Sequence, residues 1–492
     1  MKFLTFLVLL FMFSSEMLRA QRFPPADSVI ATKHQVTVNG QRFNYTAKTG
    51  TQPVWDDKGK VTATVHYTYY AKDAVQDLGR RPLVISFNGG PGSASVWMEI
   101  AYTGPRLLNI DDEGYPIQPY GIKENPYSIL DVADIVYINP VNTGYSRILD
   151  EKADRTTFFG TNADIRYLAE WLTTFVTRYN RWTSPKYLIG ESYGTTRVSG
   201  LALELQNAQW MYLNGVILVS PTDLGIKRDG AIEKALRLPY FTATAWYHKK
   251  LQPELQGRKL EDLLTEVEAF TMDKLLPALV RGYTLEPATK DRIVQQMATY
   301  TSLSPTVISQ NNLDISTSLF WKELMRTDGY TIGRLDSRYL GIDFKDAGER
   351  PDYNAELTSW LHSFTPAVNY YYTNELNYKT DVKYNMFGPV HPWDRSNDNT
   401  GLSLRQAMAA NPYLHLMVQS GYFDGATDYF NAKYNMWQMD PSGKLAPRMR
   451  FKGYKSGHMM YLRKDDLIQA TADIREFIQQ SMPREGQAAK YE

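Results

Sequence analysis

The sequence predicts an α/β protein. Its expected core is a mainly parallel sheet with helices on both faces, with antiparallel strands at the N-terminal end and a helical insertion before the last strands. Short apolar runs at 83–87, 135–138, 187–189, 216–219 and 414–418 read as buried strands. Between two of them, residues 163–179 place Ile165, Leu168, Leu172, Phe175 and Val176 at helical spacing, with Thr161 or Asn162 available to cap the start. Strands alternating with helices imply a parallel sheet covered on both faces. Ahead of this rhythm, residues 35–47 alternate apolar and polar side chains around Asn39-Gly40, a hairpin signal, and residues 61–70 continue the alternation.

The order of elements divides the chain. Residues 1–20 read as a secretory signal peptide: Lys2 precedes an apolar run at 3–13, polar Ser14, Ser15 and Glu16 follow, and Ala20 supplies a small residue at the cut. The run is too short to span a bilayer as a mature helix, and no later segment is long and apolar enough to do so. Residues 21–238 then form the first part of the sheet domain and 390–483 the second. Residues 239–389 break the strand–helix rhythm with helical segments at 260–270 and 275–279, and are expected to lie as a cap over the sheet's active edge. Residues 484–492 form a polar tail.

Composition narrows the function. A chain of 492 residues with 43% hydrophobic side chains can bury a sizeable core. The 54 basic residues nearly cancel the 53 acidic ones and form no basic stripe, so nothing directs the chain to nucleic acid or an anionic membrane. The absence of cysteine excludes thiol catalysis, cysteine-ligated zinc and disulfides. An exported chain of this kind fits a bacterial product better than a eukaryotic secretory one.

The chemistry lies in four segments. Gly190-Glu191-Ser192-Tyr193-Gly194 follows a predicted strand and precedes a predicted helix at 195–206. Such a turn exposes a serine hydroxyl and needs small flanking residues. A serine needs a base. Of the 7 histidines, His458 alone sits on a loop directly after the last predicted strand, at 449–454. An acid belongs between them in sequence, and Asp424, just past the strand at 414–418, is favoured over Asp428. The order Ser192, Asp424, His458 is that of the α/β-hydrolase fold. Asn88-Gly89-Gly90-Pro91-Gly92, after the strand at 83–87, can offer the Gly90 N–H, with that of Tyr193, to a developing oxyanion.

Together these segments, with Gly421-Tyr422-Phe423-Asp424, Gly457-His458-Met459, Asn125-Pro126-Tyr127 and Pro140-Val141-Asn142-Thr143-Gly144-Tyr145-Ser146, resemble the serine carboxypeptidase family over nearly the whole mature chain. The resemblance implies an α/β-hydrolase fold with a helical cap, and removal of C-terminal residues from peptides by a Ser-Asp-His triad. It further implies that Asn88 and Glu191 bind the substrate's terminal carboxylate and that Met459 lines the pocket for the leaving residue. The family pairs its glutamate with a second carboxylic acid, so that one shared proton supports hydrogen bonds to the substrate. Counted from the glycine loop, that place is held here by Tyr102, with Glu99 the nearest carboxylate, and Ser93 stands where the family carries a cysteine.

Two other readings fit parts of the pattern. One is a serine esterase or acyltransferase on the same fold, since fold does not fix the acceptor. The other is a catalytically silent peptide-binding protein, which has no chemical need for serine, histidine, aspartate and glycine loop together. A metalloprotease is disfavoured by the lack of a His-Glu-x-x-His segment. The favoured reading implies no cofactor, peptide substrates, no stable membrane insertion after signal cleavage, and a periplasmic or extracellular location.

Overall fold

The computed structural model describes residues 23–150, 152–396, 398–488 and 490–491. The signal peptide expected at 1–20 lies outside the described residues. Strands β1 (Ser28–Val38), β2 (Gln41–Trp55) and β3 (Val61–Lys72) form an antiparallel meander. Asn39 and Gly40 make the first turn, with φ of 48° and 78°, as a tight two-residue hairpin requires. The remaining main strands are β4 (Leu83–Phe87), β5 (Asp134–Asn139), β6 (Lys186–Glu191), β7 (Gly215–Val219), β8 (His415–Gly421) and β9 (Met449–Tyr454). They order as β1-β2-β3-β5-β4-β6-β7-β8-β9. From β5 to β9 every pairing is parallel, and β3 joins β5 antiparallel.

Alternation along the strands builds two cores. Leu188, Val216, Leu218, Leu416 and Val418 face one side. There they meet helices α1 (Thr161–Arg178), α2 (Tyr193–Ala208) and α4 (Thr400–Ala410) through Leu168, Leu201 and Leu404. Tyr187, Ile189, Ile217, Val219 and Met417 face the other side. They pack with α5 (Lys464–Ser481) and with α3 (Ala355–Tyr370) through Ile474, Phe477, Trp360 and Phe364. A period of two in a strand covered on both faces is the reason these runs lack alternating polarity. The start of α1 differs from expectation. Gly160 is its N-cap without a side-chain bond, and the Thr161 hydroxyl pairs instead with the Tyr193 hydroxyl at 2.8 Å.

The segment between β7 and β8 is mostly helical. Helices Leu238–Tyr247, Leu260–Phe270 and Pro287–Thr301 bury Phe241, Leu263, Val267, Val294 and Met297 in a separate apolar cluster. The returning part, from about residue 339, instead joins the core of the sheet: the Phe364 ring lies 4.5 Å from Trp97. Among the described residues no helix is long and apolar enough to cross a membrane.

Candidate active site

The site lies at the carboxyl ends of the parallel strands, where open α/β sheets leave a crevice. β6 ends at Glu191, and Ser192 turns the chain into α2 with φ 57° and ψ −125°. A Cβ on Gly190 would sit 2.2 Å from the Gly194 carbonyl oxygen, so only glycine allows the strand and helix this approach. The turn is fixed by the Ser192 N–H, which donates to Val219 at 2.9 Å, and by the Ser192 carbonyl, which accepts from the Thr195 N–H at 2.9 Å. The surrounding structure over-determines a backbone conformation that costs about 1–3 kcal/mol by itself. The serine hydroxyl has no hydrogen-bond partner among the described residues and faces a cavity of about 520 Å³ that also contains His458.

The loops after β8 and β9 bring acid and base together. His458 Nδ1 lies 2.7 Å from Asp424 Oδ2. The other oxygen, Oδ1, accepts from the N–H groups of Ala426 (2.8 Å) and Thr427 (3.1 Å), and the Thr427 hydroxyl reaches Oδ2 at 2.7 Å. Burial opposes ionisation of Asp424, but His458 and the Thr427 bonds outweigh it and leave the pKa below the usual carboxylate value. Burial likewise opposes protonation of His458, and the adjoining Asp424 and the nearby Glu191 reverse this and raise its pKa. Asp428 has another task. It caps the helix Tyr429–Met439 by accepting from the Asn431 N–H at 3.0 Å, and burial pushes its pKa up to about 6.

The glycine loop after β4 packs on the elbow. Gly90 takes a φ of 101°, which favours glycine, and neither its N–H nor that of Tyr193 has a partner among the described residues. The loop's carbonyls are held from below. Arg197 on α2 donates to the Asn88 carbonyl at 2.7 Å and the Pro91 carbonyl at 3.3 Å, and its Nε to Asp164 at 2.5 Å. With its carbonyls tied inward, the loop is left to present N–H groups outward. On its far side the loop is laced to the returning segment: the Gly388 N–H donates to Gly92 at 2.7 Å and the Ala94 N–H to Met386 at 3.0 Å. Ser93 sits within this backbone lacing.

Glu191 and Asn88 do meet: Asn88 Nδ2 donates to Glu191 Oε1 at 2.8 Å. The partner on Oε2 is the Tyr461 hydroxyl and not Tyr102. Tyr102 sends its hydroxyl to Gln419 Oε1 at 2.7 Å, and its ring stacks on Tyr461 with centroids 4.5 Å apart. Glu99 is engaged elsewhere, accepting from Tyr70 at 2.7 Å and Tyr372 at 2.8 Å. Burial pushes the Glu191 pKa up to about 7, against the lowering pull of His458 and of the Tyr461 and Asn88 bonds. Met459 borders the cavity, as do Trp97, Leu335, Leu357, Trp360 and Phe387, which form an apolar side. Among the described residues no cluster of three or more histidine, aspartate or glutamate side chains is placed to hold a metal ion.

Tyr461 and Arg197 were not legible as site residues. Arg197 carried a signal, a lone charge on the apolar stripe shared by Val198 and Leu201. Tyr461 carried none, because tyrosines abound in this chain and this one follows two methionines.

The sheet order, the strained serine between β6 and α2, and an acid and a histidine on successive later loops define an α/β-hydrolase. Comparison with known proteins narrows this. Residues 49–434 match the serine carboxypeptidase family, and the chain belongs to it. Relatives include a serine carboxypeptidase-like protein of Arabidopsis thaliana, 28% identical over 162 residues, covering 31% of each chain. The retinoid-inducible serine carboxypeptidase of Homo sapiens is 30% identical over 144 residues, covering 29% of each chain. These matches thus span about a third of the relatives' length. Among solved structures, the prohormone-processing carboxypeptidase Kex1 of Saccharomyces cerevisiae shares the fold, with a TM-score of 0.51 at 13% identity over 89% of this chain and 92% of that one.

Proposed function

We propose that the protein is an exported serine-type carboxypeptidase that removes C-terminal residues from peptides through an acyl-enzyme on Ser192. The observation that carries this reading is the buried Asn88–Glu191–Tyr461 group, whose Glu191 directly precedes the elbow serine. A glutamic acid that burial holds near neutrality can donate a hydrogen bond to a substrate carboxylate, with Asn88 offering a second donor. Export rests on the leader-like residues 1–20.

In this mechanism His458 Nε2 takes the Ser192 hydroxyl proton as the oxygen bonds to the scissile carbonyl carbon. The carbonyl oxygen, now negative, accepts from the Gly90 and Tyr193 N–H groups. The C–N bond then breaks, and His458 hands its proton to the departing amine. Water next attacks the acyl carbon, giving its proton to His458, and the ester bond to Ser192 breaks as that proton returns to the serine oxygen. Asp424 keeps Nδ1 protonated throughout, leaving Nε2 as the base.

Matched peptides with free and amidated C-termini, followed by mass spectrometry, test the reading. Loss of single C-terminal residues from the free acids only, abolished by Ser192→Ala, is the expected outcome. Serine-dependent cleavage indifferent to amidation would discard carboxylate recognition. It would move the reading toward an esterase or a broader serine peptidase of the same fold; the serine esterase or acyltransferase reading is supported by the phenol of Tyr461 standing where a second acid is expected. N-terminal sequencing of the mature protein tests export: a chain beginning at Met1 would overturn it.

A further inference from the structure

We propose that Glu356, on the inserted segment, is a positioning residue that sets the placement of Asp424 relative to His458 through a single stretch of backbone at 334–335. The inference rests on the triad reading above. Its starting point is where the hydrogen bonds of this stretch go. The Arg334 carbonyl accepts from the N–H of Gly425, the neighbour of Asp424, at 3.0 Å. The next carbonyl, of Leu335, accepts from the N–H of His458 itself at 2.7 Å. Two consecutive carbonyls therefore tie the acid's loop to the base's loop, beyond the direct bond from the Phe423 N–H to the Ser456 carbonyl at 2.9 Å, and they reach the residues nearest Asp424 and His458.

The Arg334 carbonyl and the Leu335 N–H are the two ends of one peptide group. That N–H donates to Glu356 Oε1 at 2.8 Å. A carboxylate at one end and the acid loop at the other thus hold the same peptide plane, and each bond polarises the amide in favour of the other. Glu356 is fully buried, and its second oxygen has no partner among the described residues. Burial pushes its pKa up to about 7. A buried carboxyl with only one oxygen used is an expensive residue for a purely packing role, which an apolar side chain would fill better.

The rest of the stretch is braced as a strut would be. The Ser337 N–H donates to the Phe423 carbonyl at 3.0 Å, and the Ser337 hydroxyl pairs with Tyr240. Asp336 accepts from the Arg338 N–H at 3.1 Å and pairs with its guanidinium. These bonds keep 336–338 in place without Glu356, so its loss frees the 334–335 peptide without unmaking the segment.

The test separates reach from charge. Glu356→Gln keeps an oxygen at the same distance from the Leu335 N–H and removes the charge, whereas Glu356→Asp keeps the charge and withdraws the oxygen by one methylene. We expect E356D to lower kcat about 10-fold or more with KM within about 2-fold, because small misplacements of catalytic groups act on the chemical step. The far-downfield proton resonance of the His458–Asp424 hydrogen bond should shift or broaden in E356D. E356Q should keep kcat within about 3-fold of the parent and leave that resonance in place. Should E356D fail to fold, E356N replaces it, paired with E356Q. Parental kcat and resonance in the shortened variants, or a loss in E356Q as large as theirs, overturns the inference. Ser192→Ala, run alongside, keeps the two readings apart. If it abolishes turnover while the Glu356 variants are neutral, only the positioning role falls; if it retains turnover, the triad reading falls.

Discussion

At the scale of single residues, the carboxylate recognition proposed for Glu191 makes its protonation a testable variable. Its pKa is held up to about 7, so the carboxyl is a donor below that pH and a negative charge above it. A substrate carboxylate is attracted by the first form and repelled by the second. The ratio of kcat/KM for free-acid over amidated peptides should therefore fall as pH rises through about 7, and Glu191→Gln should flatten it. An unchanged midpoint in that variant would assign the titration to another group. Tyr461 donates to Glu191 and so lowers its pKa; Tyr461→Phe should move the midpoint upward. The acids near His458 separate in the same way. Asp424→Asn should reduce kcat by about 10⁴, the scale of a triad tautomer error. Asp428→Asn should stay within a few-fold, since asparagine caps a helix as well. The reverse order would exchange their roles. The placement of Ser192, Asp424 and His458 just past strand ends was legible in the sequence, because a strand end fixes where the following side chains emerge. Tyr102 was misplaced because counting from the glycine loop ignores the short helix Val96–Glu99 and the turn after it, which aim the ring at Gln419.

At the scale of elements, the glycine loop depends on the helix that follows the serine. Arg197 lies on the first turns of α2 and grips the loop by the carbonyls of Asn88 and Pro91, so Ser192 and the glycine loop share one rigid support. Arg197→Lys preserves a positive charge beside the buried Asp164 but cannot span three acceptors. Its kcat should fall by about 10²-fold, the scale of one lost oxyanion donor. Discrimination between free and amidated peptides should weaken with it, because Asn88 is loosened as well. A thermal scan checks that the variant is folded; a folded variant with parental kcat would show that the loop holds its shape unaided. The strands of the parallel sheet were legible to within a few residues, since an apolar run between helices has few other places to go. The insertion was legible only as helical. Its return into the core of the sheet through Trp360 and Phe364, and its hydrogen bonds to the loops of Asp424 and His458, depend on contacts between residues far apart in sequence, which local pattern does not encode.

At the scale of the whole molecule, a chain without disulfides is held in part by buried carboxyls among tyrosines. Glu99 joins Tyr70 of β3 to Tyr372, which follows α3, and so ties the sheet to the returning part of the insertion. Burial raises its pKa to about 7, as it does for Glu191 and Glu356. In the unfolded chain these groups titrate near the ordinary glutamate value of about 4.3. Between that value and about 7 the folded state therefore binds more protons than the unfolded state, and stability falls as pH rises across this window. Asp424 acts in the opposite sense at lower pH, its lowered pKa making it a stabilising charge that is lost on acidification. These glutamates should thus lower Tm as pH rises from about 5 to about 7, against an opposing gain below the ordinary histidine value from His66, whose pKa burial pushes down to about 3. For one such glutamate the loss over the window is on the order of 4 kcal/mol, at about 1.4 kcal/mol per pKa unit. Glu99→Gln keeps acceptor and donor groups for Tyr70 and Tyr372 without a titrating proton. It should reduce the slope of Tm against pH while leaving the Glu191-dependent selectivity midpoint where it is. Calorimetric scans at matched ionic strength check the first half, and the peptide ratio the second. A slope equal to the parent's would mean that Glu99 remains ionised within its ring of tyrosines, and a shifted midpoint would mean that the two buried acids are coupled through Met98, whose N–H donates to the Asn88 side chain at 3.3 Å.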